Sequence, residues 1–231
     1  MKRRAGVTLI ELLIAVSLVS LVSLGILFSI RVGVNAMGRS NNLVMANRRV
    51  LGIQRAIEQQ VAGIMMVDAN CRSAPGAGIQ RQAFFQGESA SLRFVSSYSL
   101  QEAARGYARI LEYQVIPMES GRGVRLVVNE RLYTGPESTG ALCLGGAPPQ
   151  FTPVAIGPDS FVLADRLEYC RFSYLEARPL RVWLPRWIRQ DLPLAVRIEM
   201  TPLEADPARL QVTSMTLPLR VNREPGLQYV D

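Results

Sequence analysis

Histidine is missing from all 231 residues. Its absence removes the usual general base, the proton shuttle and the commonest metal ligand together. Lysine occurs once, at Lys2, so a Ser-Lys nucleophile pair in the body of the chain is excluded. Three cysteines, Cys71, Cys143 and Cys170, stand far apart, and no CxxC or Cys/His spacing exists. A zinc site therefore has no ligand set. The acids Glu112, Glu119, Glu130, Asp159, Asp165 and Glu168 are scattered, and no spacing among them singles out a catalytic pair. Alternating acidic residues, which a calcium loop would need, are lacking too. Gly135 and Gly145-Gly146 lie in a glycine-containing stretch without the lysine of a phosphate-binding loop. These absences exclude most chemistry. The expectation is a protein that is not an enzyme, with no cofactor and no metal.

What is present is concentrated at the start. Val7 to Ile30 is an apolar run with one charge, Glu11. About 20 apolar residues span a bilayer's hydrocarbon core as a helix. A cleavable secretory segment has an apolar stretch of about 7–15 residues. The run here is too long for that, although Val34-Asn35-Ala36 loosely fits a signal-peptidase site. The formal net charge is +7, and Lys2, Arg3 and Arg4 supply three of those charges. Without residues 1–6 the charge is +4, a mild excess that does not by itself point to nucleic acid. Cations flank the apolar run on both sides: Lys2, Arg3 and Arg4 before, Arg31, Arg39, Arg48 and Arg49 after. A count of positive charge leaves orientation open.

The run Met1-Lys2-Arg3-Arg4-Ala5-Gly6, followed by Val7-Thr8-Leu9-Ile10-Glu11, resembles the type IV prepilin signature. The resemblance implies cleavage after Gly6 by a prepilin peptidase and methylation of the new N-terminus at Val7. It also implies that the leader is cytoplasmic and the remaining chain extracytoplasmic. Two residues depart from the family's habit. Val7 stands where phenylalanine is usual, and Phe28 stands near the point where major pilins carry a proline. A carboxylate in hydrocarbon costs about 2.5–3.5 kcal/mol on insertion scales, so Glu11 is expected to have a partner. The partner implied is the free α-amine of Val7 in a neighbouring subunit. The competing reading has Glu11 snorkel to the interface one turn into the helix.

Leu43, Ala46, Val50, Ile53, Ile57, Val61 and Ile64 recur at three- and four-residue steps, one stripe of an amphipathic helix. Gly38, within the polar stretch Asn35–Asn42, weakens the rod there. Turn residues from Asp68 to Gly76 are expected to end the helix. Beyond them, residues 91–98, 110–117, 123–132, 167–175, 194–200 and 210–221 read as strands, separated by Gly- and Pro-rich loops such as 140–158. The class expected is α+β, with an antiparallel sheet against the helix. The expected organisation is a leader over 1–6, a transmembrane helix over 7–30, an amphipathic continuation over 31–67 and a β-rich domain over 68–231.

Three further segments sharpen the resemblance. Gln54-Arg55-Ala56-Ile57-Glu58, Leu92-Arg93-Phe94-Val95-Ser96 and Trp187…Leu192-Pro193-Leu194-Ala195-Val196-Arg197-Ile198 look like J-type minor pseudopilins of type II secretion systems. That likeness implies a pseudopilin fold, with I-type and K-type minor pseudopilins as partners at a filament tip. It also implies an inner-membrane anchor with a periplasmic domain. Minor pilins of the W type, from type IV pili, are similar enough to stand as the alternative.

An extracytoplasmic domain permits disulfides. Spacing does not fix connectivity. The pairing expected is Cys71 with Cys143, both in loop-like sequence. Cys170 alternates with Phe172 and Tyr174 and should face the core as a small hydrophobe. Residues 178–189 interleave four arginines with Trp183 and Trp187. Arginine and tryptophan are enriched in protein interfaces, and the same composition suits single-stranded nucleic acid. Trp183, Arg186 and Trp187 are taken as an interface with protein, nucleic acid being the less favoured partner.

Overall fold

The computed structural model describes residues 8–72, 78–119, 121–145, 150–177, 180–204, 210 and 214–221. One helix, α1, runs over Leu9–Ala62. No proline interrupts it. Thr8 precedes it with Glu11 three residues on, the T-x-x-E spacing that favours a helix start. The Thr8 carbonyl accepts the amides of Glu11 (3.1 Å) and Leu12 (3.2 Å). The helix continues through Asn35–Asn42. A single glycine there costs about 1 kcal/mol against alanine, too little to break a helix that is formed on both sides.

The chain divides into two compact units, up to Arg48 and from Arg49 onward. In the first unit nearly every helical side chain is exposed. The second unit begins with the last helical turns, where Ile57, Gln60 and Val61 are buried. The helix ends at Ala62, five residues short of the expected Val67. Gly63 follows, its amide bonded to the Gln59 carbonyl at 2.9 Å. A Cβ at Gly63 would lie 2.8 Å from Ser96 Oγ, so the chain turns there against the sheet. Ile64 keeps its buried place as part of strand β1 (Ile64–Met65), paired with Ser96. An apolar period cannot separate these outcomes, because Ile64 is buried in either.

The other elements follow in order: β2 (Asp68–Arg72), β3 (Ile79–Ala83), β4 (Gln86–Gly87), β5 (Ser91–Ser99), β6 (Ala104–Pro117), β7 (Val124–Leu132), α2 (Pro136–Gly140), β8 (Cys143–Gly145), β9 (Gln150–Phe151), β10 (Phe161–Leu175), β11 (Trp183–Leu184), β12 (Ala195–Pro202) and β13 (Met215–Pro218). The main sheet has the order β1-β5-β6-β7-β10-β12-β13 and is antiparallel. Strand β10 pairs with β7 through its first half and with β12 through its second. The register shifts around Leu167, and Arg166 there has φ +52°. Segment 68–72, expected as a turn, is instead a strand paired with β3. Cys71 and Cys143 accordingly lie on short strands, not in loops.

Alternation along β5 and β6 sends successive side chains to opposite faces. Leu92, Phe94, Leu111 and Tyr113 join one core, into which the helix sends Ile57 and Val61. Val95 and Ile110 join a second core with Ala69, Cys71, Phe84, Leu142 and Phe151. The sheet is thus covered twice, by the helix end and by a layer of short strands. This is the α+β arrangement of a pilin fold.

Candidate assembly surface

Among the described residues of the first unit none is buried. From Leu9 to Val34 its leucines, isoleucines and valines stand open, Leu9 at 83% and Phe28 at 70%. Water would not leave such a surface bare, since apolar area costs roughly 25 cal/mol per Å². The helix is long and apolar enough to cross a membrane. Two of its hydroxyls are adapted to hydrocarbon. Ser17 Oγ donates to the Ile14 carbonyl (2.9 Å) and Ser20 Oγ to the Val16 carbonyl (2.8 Å), so neither hydroxyl is left without a partner. Glu11 lies in the first turn. A carboxylate there also opposes the positive end of the helix dipole, a role that composition alone does not suggest. Gly6 and Val7 lie outside the described residues.

In the second unit the polar groups are buried and matched. Arg93 and Glu112 face each other across β5 and β6 with side-chain exposures of 6% and 1%. Nε and Nη2 of Arg93 donate to the two carboxylate oxygens at 3.1 and 2.9 Å. Arg93 also donates to Gln86 Oε1 (2.6 Å) and to the Thr152 carbonyl (3.2 Å), and it covers the Phe151 ring. Glu112 also accepts from Gln114 Nε2 and from the Val154 amide. The pair floors a cleft of about 410 Å³ rimmed by Arg186 and Glu88, which themselves pair at 2.9 Å. Four of the five guanidinium N–H donors of Arg93 and both carboxylate oxygens of Glu112 are thus engaged within the chain.

A second network fastens the helix. Gln60, fully buried, donates to Glu130 Oε1 at 2.9 Å and accepts from the Tyr113 hydroxyl. Its carbonyl accepts from Ser96 Oγ at 2.7 Å. Glu130 also takes Ser99 Oγ and the amides of Leu100 and Gln101. Burial, with the Glu130 charge nearby, pushes the Tyr113 hydroxyl well above the usual tyrosine range. Burial does the same to Tyr174. The sequence reading missed Arg93 and Glu112 as buried charges and the half-buried Glu130 as the hub of this network. Their position on alternating strands was the only available signal.

Cys71 and Cys143 form a disulfide with Cα atoms 5.5 Å apart. Cys170 is free and buried, and burial pushes its thiol up to about 12. The three interface candidates separate. Trp187 is 1% exposed, and its Nε1 donates to the Asp191 carbonyl at 2.7 Å. It is a core residue and offers no ring to a partner, which corrects the interface expectation for it. Its backbone bridges Gly87, tying β4 to the segment after β11. Trp183 is half-buried, with the Arg197 guanidinium 3.8 Å from its ring centre. Arg186 is exposed and donates from Nε to Glu88. Among the described residues no group of three or more His, Cys, Asp or Glu gathers to hold a metal ion.

Residues 1–27 match the prokaryotic N-terminal methylation motif. No curated protein matches the chain. The motif supports a type IV pilin-like protein with a structural role. It implies processing by prepilin peptidase and assembly with other pilins. A single apolar N-terminal helix fits the single-pass anchoring typical of that class.

Proposed function

We propose that this chain is a J-type minor pseudopilin, a structural component of the pseudopilus tip in a type II secretion system. In this reading it is cut between Gly6 and Val7, methylated on Val7 and held in the inner membrane by residues 7–30. Its domain stands in the periplasm beside I-type and K-type minor pseudopilins. Glu11 meets the α-amine of Val7 from a neighbouring subunit. Trp183 and Arg186 contribute to a protein contact.

The observation that carries the proposal is the coupling of a methylation motif over residues 1–27 to a helix that buries only its far end. Such a helix needs neighbours along most of its length. The segments that resemble the J type also fall on elements that build the core: the last turns of α1, strand β5, and the stretch from Trp187 through β12. The nucleic-acid reading loses weight, since Trp187 is buried and Arg197 lies over one face of Trp183.

Mass spectrometry of the mature N-terminus tests the processing step. The expected N-terminus is methylated Val7; one at Met1 or Met37 sinks the pilin-like reading. Deletion of the gene, scored for protein secretion and for pilus assembly, separates the two machines. Lost secretion with normal pili is the expected result. Lost pili with normal secretion would assign the chain to the W-type minor pilins instead.

A further inference from the structure

The cleft over the Arg93–Glu112 pair holds about 410 Å³, within the range of small-molecule sites, about 300–1,000 Å³. Four ionisable side chains line it, and they pair two by two: Arg93 with Glu112 at 2.9 Å and Arg186 with Glu88 at 2.9 Å. The lining therefore carries no net charge. An ion entering it would give up water and find every counter-charge already matched.

Uncommitted polar groups remain, and they include both donors and acceptors. Arg93, 5% exposed, keeps one Nη1–H without an acceptor among the described residues. Among the same residues Gln86 accepts through Oε1 and has no partner for Nε2, while Gln114 donates through Nε2 and has none for Oε1. The Ser91 hydroxyl and the Gln150 side-chain amide bond no other described residue. A buried donor is rarely left without a partner, so water or a ligand completes the set. Phe151, Val115 and Pro153 add apolar surface beside these groups.

We propose that this cleft binds a neutral saccharide of one or two rings. A hydroxyl both donates and accepts hydrogen bonds, so neighbouring hydroxyls on a ring serve a lining in which amide donors, amide acceptors and a guanidinium are mixed. The C–H groups of the ring suit Phe151, Val115 and Pro153. A peptide fits less well. Its donors and acceptors follow a line at about 3.3 Å per residue, whereas the uncommitted groups here stand on β4, β5, β6 and β9 around the cleft. The site lies wholly within the second unit, and it goes beyond the pilin-like reading without depending on it. No reaction is asked of it, since both Glu112 oxygens are engaged within the chain.

Saturation-transfer NMR on the full chain tests the proposal, with maltose and N,N′-diacetylchitobiose as probes. The micelle is lauryldimethylamine oxide, since a glycoside detergent would compete. Saturable binding of at least one disaccharide is expected. Ser91→Ala together with Gln150→Ala removes two groups that hold nothing else in the fold. The melting temperature should therefore stay at the wild-type value while binding weakens about tenfold. Ala90→Phe places a ring at an exposed lining position and should abolish binding. If that variant melts early, the double variant decides alone. No saturable signal from either sugar overturns the proposal, as does binding that both variants leave unchanged. Equal or tighter binding of gluconate, or of a trialanine peptide capped at both ends, lost in the same variants, also overturns it. Those results would reassign the cleft to an acid or to the backbone of a partner chain.

Discussion

The two units of this chain invert each other. In the first, the described apolar side chains face outward. In the second, aliphatic and aromatic groups lie inside, and even charged residues are buried as matched sets, as with Arg93 and Glu112. The difference teaches where each unit finds its stability. The second unit holds its partners within the chain, across two cores and a disulfide. The first can be satisfied only by something outside the chain, lipid or other helices. Damage to the second should therefore register as unfolding, and damage to the first as failed assembly with the domain intact.

The largest effect expected on domain stability comes from the buried ion pair. Glu112→Leu leaves Arg93 charged in a space with almost no access to water. A loss of about 3–5 kcal/mol is expected, read as a lowered midpoint in urea. Adding Arg93→Met should recover much of that loss, since an apolar pair of similar volume fits such a site. If Glu112→Leu alone unfolds at the wild-type midpoint, the account of the second unit is wrong.

Reduction of the Cys71–Cys143 bond comes next. It closes a loop with a sequence separation of 72 residues. A loss of about 2–4 kcal/mol is expected, measured as a drop in melting temperature with reductant. Cys170 should resist alkylation until the protein unfolds. Its thiol is pushed up to about 12 by burial, so its contribution to stability is present below the ordinary thiol value and fades as pH rises toward about 12. Peptide mapping under non-reducing conditions should recover Cys170 as a thiol and the other two joined.

Gly87→Ala is a smaller perturbation with a definite cause. A Cβ there would lie 2.2 Å from Cζ of Tyr174, so the ring or the bridge to Trp187 must shift. Overpacking of this kind costs about 1–3 kcal/mol. Chemical denaturation of the full chain in detergent measures it. A wild-type midpoint would mean that β4 does not hold its place against β10.

Glu11→Ala should have the least effect on the domain, within about 0.5 kcal/mol, because the substitution touches none of its contacts. In the pseudopilin reading the same variant is processed normally yet fails to co-purify with other pilins and fails to restore secretion to a deletion strain. Glu11→Gln sharpens the comparison. It retains a side chain able to bond a backbone amide at the helix start but lacks the charge, so rescue by Gln would assign Glu11 to capping and not to the α-amine of a neighbour. Normal secretion with both variants would shift the burden of assembly to the stripe from Leu43 to Ile64.

The sequence by itself determined the long helix, the outward apolar surface of its first part, the α+β class and the core of the sheet. These are legible because helical and strand periods are local properties, and Leu92, Phe94, Val196 and Ile198 repeat theirs cleanly. Only tertiary structure decided the rest. Whether Arg93 and Glu112 are solvated or buried depends on a second layer that includes β2, β3, β8 and β9, of which the sequence reads β2 as turn and β8 and β9 as loop. These strands exist because β2 pairs with β3 and β8 with β9, and no pattern within one strand announces its mate. The helix end at Ala62 was settled by the open edge of β5, which takes Ile64 into the sheet. Trp187 looked like a surface aromatic among arginines and is a core residue, because the bridge to Gly87 folds its segment inward. Periodicity reports which face of an element is apolar; which faces are covered is set by contacts between residues distant in the chain.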